Sequence, residues 1–375
     1  MIDFELSDEQ KMVRDTVGAF AREQIRPAAR QADEAAAIPP DLVQHAWNLG
    51  LVRGPVPEKL GGFGDQRSVL TGALAAEELA WGDLAIAMHV AAPQLFAFPI
   101  VEMGTDEQRQ RFLPLVATDR FTAAGAATME PRYDFDLSAL ATTATPDGSG
   151  FTLRGEKCCV PLADEARAFL VYAREEGASN GSAGGELHGL QAFIVEREAS
   201  GLTVVEREKN MGLKALATYQ LKLDDVKVSR DARLGAERPA DTARLAAQSR
   251  VALAAMAVGV ARAAFEYARD YAKERHAFGA PIATKQAIAF MLAEMALEVD
   301  AARLLTWQAA SMLDKGLKAL KESSRAKHYA ASVALKVTDN ALQILGGHGY
   351  IREHPVELWL RNARGFATFE GLAIV

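Results

Sequence analysis

Glu370 is the one charged residue in the closing stretch ATFEGLAIV, Ala367 to Val375, and a glycine follows it. A carboxylate on a short tail is ordinarily solvated. A tail that docks would instead drive it into apolar surroundings, raise its pKa and suit it to abstract a proton. The neighbours Phe369, Leu372 and Ile374 are apolar and favour docking. Other groups that often signal chemistry lack a known spacing. Cys158 and Cys159, the only cysteines, are adjacent, which makes neither a disulfide framework nor a C-x-x-C pair. The seven histidines, His348 and His354 included, show no metal-ligand spacing, so no metal is expected. Absence of G-x-G-x-x-G after a strand, of G-x-x-x-x-G-K-[ST] and of G-x-S-x-G excludes Rossmann, P-loop and nucleophile-elbow sites.

A carboxylate near the end of the chain needs a scaffold to dock on, and the periodicity describes one. Residues 1–118 read as a helical domain: Ser7-Asp8-Glu9-Gln10 and Thr105-Asp106-Glu107-Gln108 are capping boxes. The first opens an amphipathic run through Arg30, and Pro39-Pro40 and PEKLGGFG punctuate the domain. Across 119–235 the period changes to short runs rich in Val, Leu, Phe and Tyr, separated by turns such as PDGSG. Alternation at Tyr219, Leu221 and Leu223 predicts antiparallel strands in a small barrel. Gly177 to Gly189 is a low-complexity stretch expected to form a surface loop. Across 236–375 three long Ala- and Leu-rich segments, 240–273, 284–313 and 317–345, and a shorter terminal one predict a four-helix bundle, with Gly346-Gly347 ending the third. The fold class expected is α+β multidomain.

At 375 residues the chain can bury roughly 75% of its unfolded surface. Its net charge of −7 argues against nucleic acid or an anionic membrane surface as partner. The acidic start MIDFELSDEQ has no signal-peptide pattern, and the longest apolar run, Val251 to Ala261, has 11 residues, so no membrane span and a cytoplasmic location are expected.

Three stretches together resemble the acyl-CoA dehydrogenase family. YAKERHAFGAPIATKQAIAFMLAEMA, 271–296, is similar to its Y-A-x-x-R-x-x-F-G-x-P-I-x-x-x-Q signature; ALQILGGHGYIREHPVELWLRNAR, 341–364, to its Q-I-L-G-G-x-G-Y turn and following helix; and FEGL, 369–372, falls where that family carries its catalytic Y-E-G. The resemblance spans essentially the whole chain and implies an FAD oxidoreductase that introduces a double bond α,β to a CoA thioester. It implies that Glu370 takes the α-proton while FAD N5 accepts the β-hydride. Arg275, Phe278, Gln286, Gln343, Gly346 and Gly347 are implied FAD contacts, several of them across a subunit boundary, and Arg250 an acyl-CoA contact or an inter-helix salt bridge. An electron-transfer flavoprotein is the implied electron acceptor and a homodimer or homotetramer the implied assembly. The alternative family position for the base, just before Arg250, is Ser249. The helix Asp83 to Phe98 corresponds to the family's acyl-pocket floor. Its alanines 85, 87, 91 and 92 leave either room for a medium-length, branched or cyclic chain or a surface for tight helix packing.

The central domain departs from the family pattern. Its T-E-P-x-A-G-S-D loop reads Met129-Glu130-Pro131-Arg132-Tyr133-Asp134-Phe135-Asp136, its flavin-flanking W-I-T reads Cys159-Val160-Pro161, and the threonine after Y-E-G is Leu372. Three readings follow: FAD held through altered contacts, a related second subunit that completes the site, or an acyl-CoA-binding protein without redox chemistry.

Overall fold

The computed structural model describes residues 5–177, 187 and 189–375, so the Gly/Ser/Ala stretch lies almost wholly outside the described residues. Both capping boxes form: the Ser7 hydroxyl accepts from the Gln10 N–H and the Thr105 hydroxyl from the Gln108 N–H, each returned by the glutamine side chain. The first opens α1 (Asp8–Phe20), which continues through one π turn into α2 (Arg26–Ala35), beyond the expected end at Arg30. Next come α3 (Pro40–Trp47), α4 (Val69–Gly82), α5 (Leu84–Ala91), α6 (Gln94–Met103) and α7 (Asp106–Phe112). The single helix expected over Asp83–Phe98 is two, bent by 42° at the break before Gln94, where Pro93 stands.

The central domain holds β1 (Gly125–Ala127), β2 (Thr143–Asp147), β3 (Gly150–Pro161), β4 (Ala168–Glu175), β5 (Leu190–Glu196), β6 (Leu202–Arg207) and β7 (Thr218–Ser229) in one seven-stranded sheet. Antiparallel pairing holds for β2–β3, β3–β7, β6–β7 and β4–β5. It does not hold throughout, because β1 and β2 both run parallel to β4. Parallel neighbours need a crossover between them and leave no local mark in the sequence.

In the third region α8 (Thr242–Glu274) is followed by the short hairpin β8 (His276–Ala277) and β9 (Ala280–Pro281), then α9 (Gln286–Asp314), α10 (Leu320–Leu345), α11 (Gly347–Tyr350) and α12 (Val356–Ala363). Helix α8 is the axis of the molecule: every residue from Val251 to Ala261 is buried. Although the 11-residue apolar run is short, the 33-residue helix is long and apolar enough to cross a bilayer by composition, and 78% of its most apolar stretch is buried in protein. At Gly259 a Cβ would lie 2.3 Å from the carbonyl of Glu77, so glycine sets how closely α4 and α8 approach. Ion pairs flank that crossing, Arg262 to Glu77 (3.0 Å) and Glu78 (2.7 Å), and Arg303 of α9 to Glu77 (3.0 Å). The carboxylate of Asp314, which ends α9, accepts from the N–H groups of Val69 (2.6 Å) and Leu70 (3.1 Å) and caps α4 from a distant segment.

Asp83 joins α4 to α5 in extended backbone and caps α5 by accepting from the Ile86 N–H at 2.9 Å. Burial pushes its carboxyl up to about 6. The folded chain therefore keeps a proton that the unfolded chain releases near 3.8. Stability from this group is fully present below the unfolded value and is lost as pH rises through about 6. Asp83→Asn keeps an acceptor oxygen and cannot ionise. In urea melts at several pH values, the variant should gain on the parent across that window, by up to about 3 kcal/mol at pH 7. A constant difference from pH 4 to 8 would reject this account.

Candidate active site

The tail docks. Leu372, Ala373, Ile374 and Val375 are each at most 5% exposed. Arg67 donates to the main-chain oxygen of Val375 and is itself fixed by Glu102 at 2.6 Å, by Gln248 at 3.2 Å and by the face of Phe98. Gly371 makes the entry possible: its φ is +65°, and a Cβ there would strike Thr128 Oγ1 at 2.4 Å.

This path sets Glu370 between two helices, with its side chain 16% exposed. Its carboxylate accepts from Arg250 Nε of α8 at 3.3 Å and from Lys327 Nζ of α10 at 3.2 Å, and Arg250 also donates to Ser324 Oγ at 2.8 Å. The expected apolar setting for this carboxylate is thus corrected. The glutamate is held by two cations, and the apolar wall lies to one side. Arg250, expected against acyl-CoA or in an inter-helix salt bridge, is engaged by Glu370 and Ser324. Lys327 lies in no motif, and no sequence signal pointed to it.

Glu370, Gly371 and Ile374 line a cavity of ≈ 20 Å³ together with Leu95, Tyr172, Leu245, Thr128 and Ser249. The last two are 4% and 6% exposed, and their hydroxyl oxygens have no hydrogen-bond partner among the described residues. Two orphaned hydroxyls beside a carboxylate suit a polar ligand that also carries apolar carbon. Ser249, at the alternative position for the base, faces this cavity and offers no carboxylate. The alanines expected to leave acyl volume do not line it: Ala85, Ala87, Ala91 and Ala92 are 0–4% exposed in helix packing. The packing alternative describes them.

The residues expected to touch FAD gather elsewhere. Arg275, Phe278 and Gln286 lie on the turn from α8 to α9, all exposed, Phe278 by 95%. Gln343, Gly346 and Gly347 lie where α10 ends, and a Cβ on either glycine would meet nothing within 4 Å. Tyr271 Oη bonds His348 Nδ1 at 2.9 Å and so holds the two turns side by side. Arg275 has no ion-pair partner among the described residues. Arg250 and Arg275 bracket most of α8, a separation of about 37 Å at 1.5 Å per residue.

The divergent loop of the central domain is internally satisfied. Glu130 accepts from the N–H groups of Ala141 and Thr142 at 2.8 Å each and pairs with the fully buried Lys157 at 3.1 Å. Burial works against its charge, yet Lys157 and these N–H groups hold Glu130 below the usual carboxylate range. Asp134 is held by Arg132 through two 2.8 Å bonds, so its charge is neutralised locally, and Phe135 packs between two core clusters.

The N-terminal, middle and C-terminal domain models of acyl-CoA dehydrogenases match residues 7–120, 125–226 and 241–373 in order. The chain is 36% identical over 373 residues to the mitochondrial short-chain specific acyl-CoA dehydrogenase of Bos taurus, covering 98% of this chain and 88% of the relative. It is 33% identical over 373 residues to the caffeyl-CoA reductase–Etf complex subunit CarC of Acetobacterium woodii, covering 98% and 96%. The solved butyryl-CoA dehydrogenase of Megasphaera elsdenii superposes with a TM-score of 0.85 at 32% identity, over 98% of this chain and 96% of that one. Enzymes of this kind are FAD oxidoreductases acting on acyl-CoA thioesters. With three domain models matched in the same order along nearly the whole chain, this chain belongs to the acyl-CoA dehydrogenase family.

Proposed function

We propose that the chain catalyses α,β-dehydrogenation of a short acyl-CoA thioester with Glu370 as the base. The observation that carries this reading is Glu370 on a docked tail, beside a cavity lined by two unpartnered hydroxyls. Those hydroxyls fit the polar head of an acyl thioester, and the exposed turn of Arg275 with the open glycines 346 and 347 fits the phosphates of FAD. The chemistry FAD supplies when bound is acceptance of the hydride leaving the β-carbon. Glu370 takes the α-proton on a carboxylate oxygen. Arg250 and Lys327 orient that carboxylate and are displaced or turned as the thioester enters. Leu95, Tyr172, Leu245 and Ile374 exclude water from the reacting carbons.

Geometry also supports a homodimer or homotetramer. A ligand at Glu370 cannot reach Arg275 of its own chain across about 37 Å. The open turn of Arg275, Phe278, Gln286, Gln343, Gly346 and Gly347 therefore serves the FAD of a second copy. An exposed stripe on α9, Phe290, Leu297 and Leu304 at seven-residue spacing, supplies an apolar face for that copy. An electron-transfer flavoprotein is the proposed acceptor, in keeping with the Etf complex in one relative's name.

Glu370→Gln keeps the shape and cannot accept the proton, so kcat should fall at least ~10³-fold with flavin content and acyl-CoA affinity little changed. Retained activity would assign the base to another residue. Among acyl-CoA thioesters ranked by kcat/KM, the shortest chains should lead, because the cavity of ≈ 20 Å³ offers no preformed room for a long one. A preference for medium-length chains would contradict this. Light scattering should find a dimer or tetramer at micromolar concentration. Arg275→Glu should leave that assembly intact and remove FAD, whereas a yellow Arg275→Glu protein would sever the turn from the cofactor. Wild-type protein that is colourless alone and yellow only with a related chain would favour the mixed oligomer.

A further inference from the structure

In an extended strand, successive side chains point to opposite faces, so two adjacent cysteines cannot both serve one ligand. Strand β3 breaks that rule at Cys158-Cys159. Its register against β7 runs Lys157 to Leu221 and then Val160 to Tyr219, so one residue is extra. Cys159 takes φ +54°, the left-handed region that a side chain other than glycine rarely adopts. Bulges of this kind re-aim side chains. Lys157, just before the bulge, is anchored inward by Thr128 O at 3.0 Å and Glu130 at 3.1 Å. On the far side of β7, strand β6 carries a matching irregularity between Val204 and Arg207, and Glu208 follows it. Glu208 reaches across to β3, both of its carboxylate oxygens 3.1 Å from the Cys159 N–H. Both thiol sulfurs and a Glu208 oxygen consequently lie within 4.8 Å of one another, on half-buried side chains with access to solvent.

We propose that Cys158, Cys159 and Glu208 bind a thiophilic divalent cation of the zinc class. Two thiolates and one carboxylate make a borderline-soft ligand set, which hard magnesium and calcium ions do not select. Three protein ligands leave a fourth tetrahedral position open to water or an incoming group. The paired bulges hold the three ligand atoms together before any ion arrives, which lowers the ordering cost of binding. Nothing in this site requires the dehydrogenase reading: its ligands come from the central domain alone, and none of them is Glu370 or lines its cavity.

The full-length protein, reduced and stripped with a chelator, is dialysed against zinc chloride and passed through a desalting column. One zinc per chain should remain by elemental analysis. Zinc should also protect both thiols from alkylation in the unmodified protein. Cadmium titration should give thiolate charge-transfer absorption that falls by about half in Cys158→Ser and in Cys159→Ser. Glu208→Gln, which keeps an acceptor for the Cys159 N–H, should weaken zinc binding at least ~10-fold while leaving the circular dichroism spectrum unchanged. Substoichiometric zinc that washes out, unprotected thiols, or binding that persists in the double serine variant would each overturn the proposal.

Discussion

The molecule is organised by the length of one helix. Thirty-three residues of α8 carry Arg250 beside Glu370 near one end and finish at the Arg275 turn. A single α-helix cannot bring those two places together, and its burial by α4, α9 and α10 leaves no freedom to bend. Everything proposed about assembly follows from that separation. The chain holds Glu370 and a cavity at one location and an open, cationic, glycine-lined turn at another, and symmetry is the economical way to join them.

Around Glu370 itself, charge and not hydrophobicity defines the surroundings. Arg250 and Lys327 approach one carboxylate from two helices, while Arg67, Glu102 and Gln248 fasten the tail that delivers it. These are partly buried pairs, costly to break singly because each leaves a desolvated partner behind. The role of this ionic frame is positional: it fixes where the tail lies, and hence where the carboxylate points.

Much of this was legible in the sequence because it is local. Capping boxes, the change of period, the glycine after α10 and the apolar residues around Glu370 each write their physics into a few neighbouring positions. What stayed hidden depends on residues far apart. Lys327 reaches Glu370 across 43 positions, and Asp314 caps α4 across 245. Parallel pairing of β1 and β2 with β4 leaves no pattern within any of these strands. The expected single helix over 83–98 breaks at one proline, Pro93, and of the two readings of its alanines, acyl space or tight packing, their burial fits packing. Adjacent cysteines fit no disulfide framework and no C-x-x-C spacing, and only the bulge in β3 places both sulfurs beside Glu208.

Helix α8 also has a history within each molecule's synthesis. Of the helices that cover it, α4 precedes it, but α9 and α10 follow, and α10 is complete only about 70 residues after α8 ends. At 5–20 residues per second this helix spends roughly 4–14 s outside the ribosome without its full cover. For that interval the chain presents an apolar rod with the length and composition of a membrane span. The feature that later gives the enzyme its rigid axis makes the nascent chain a natural client for holding chaperones.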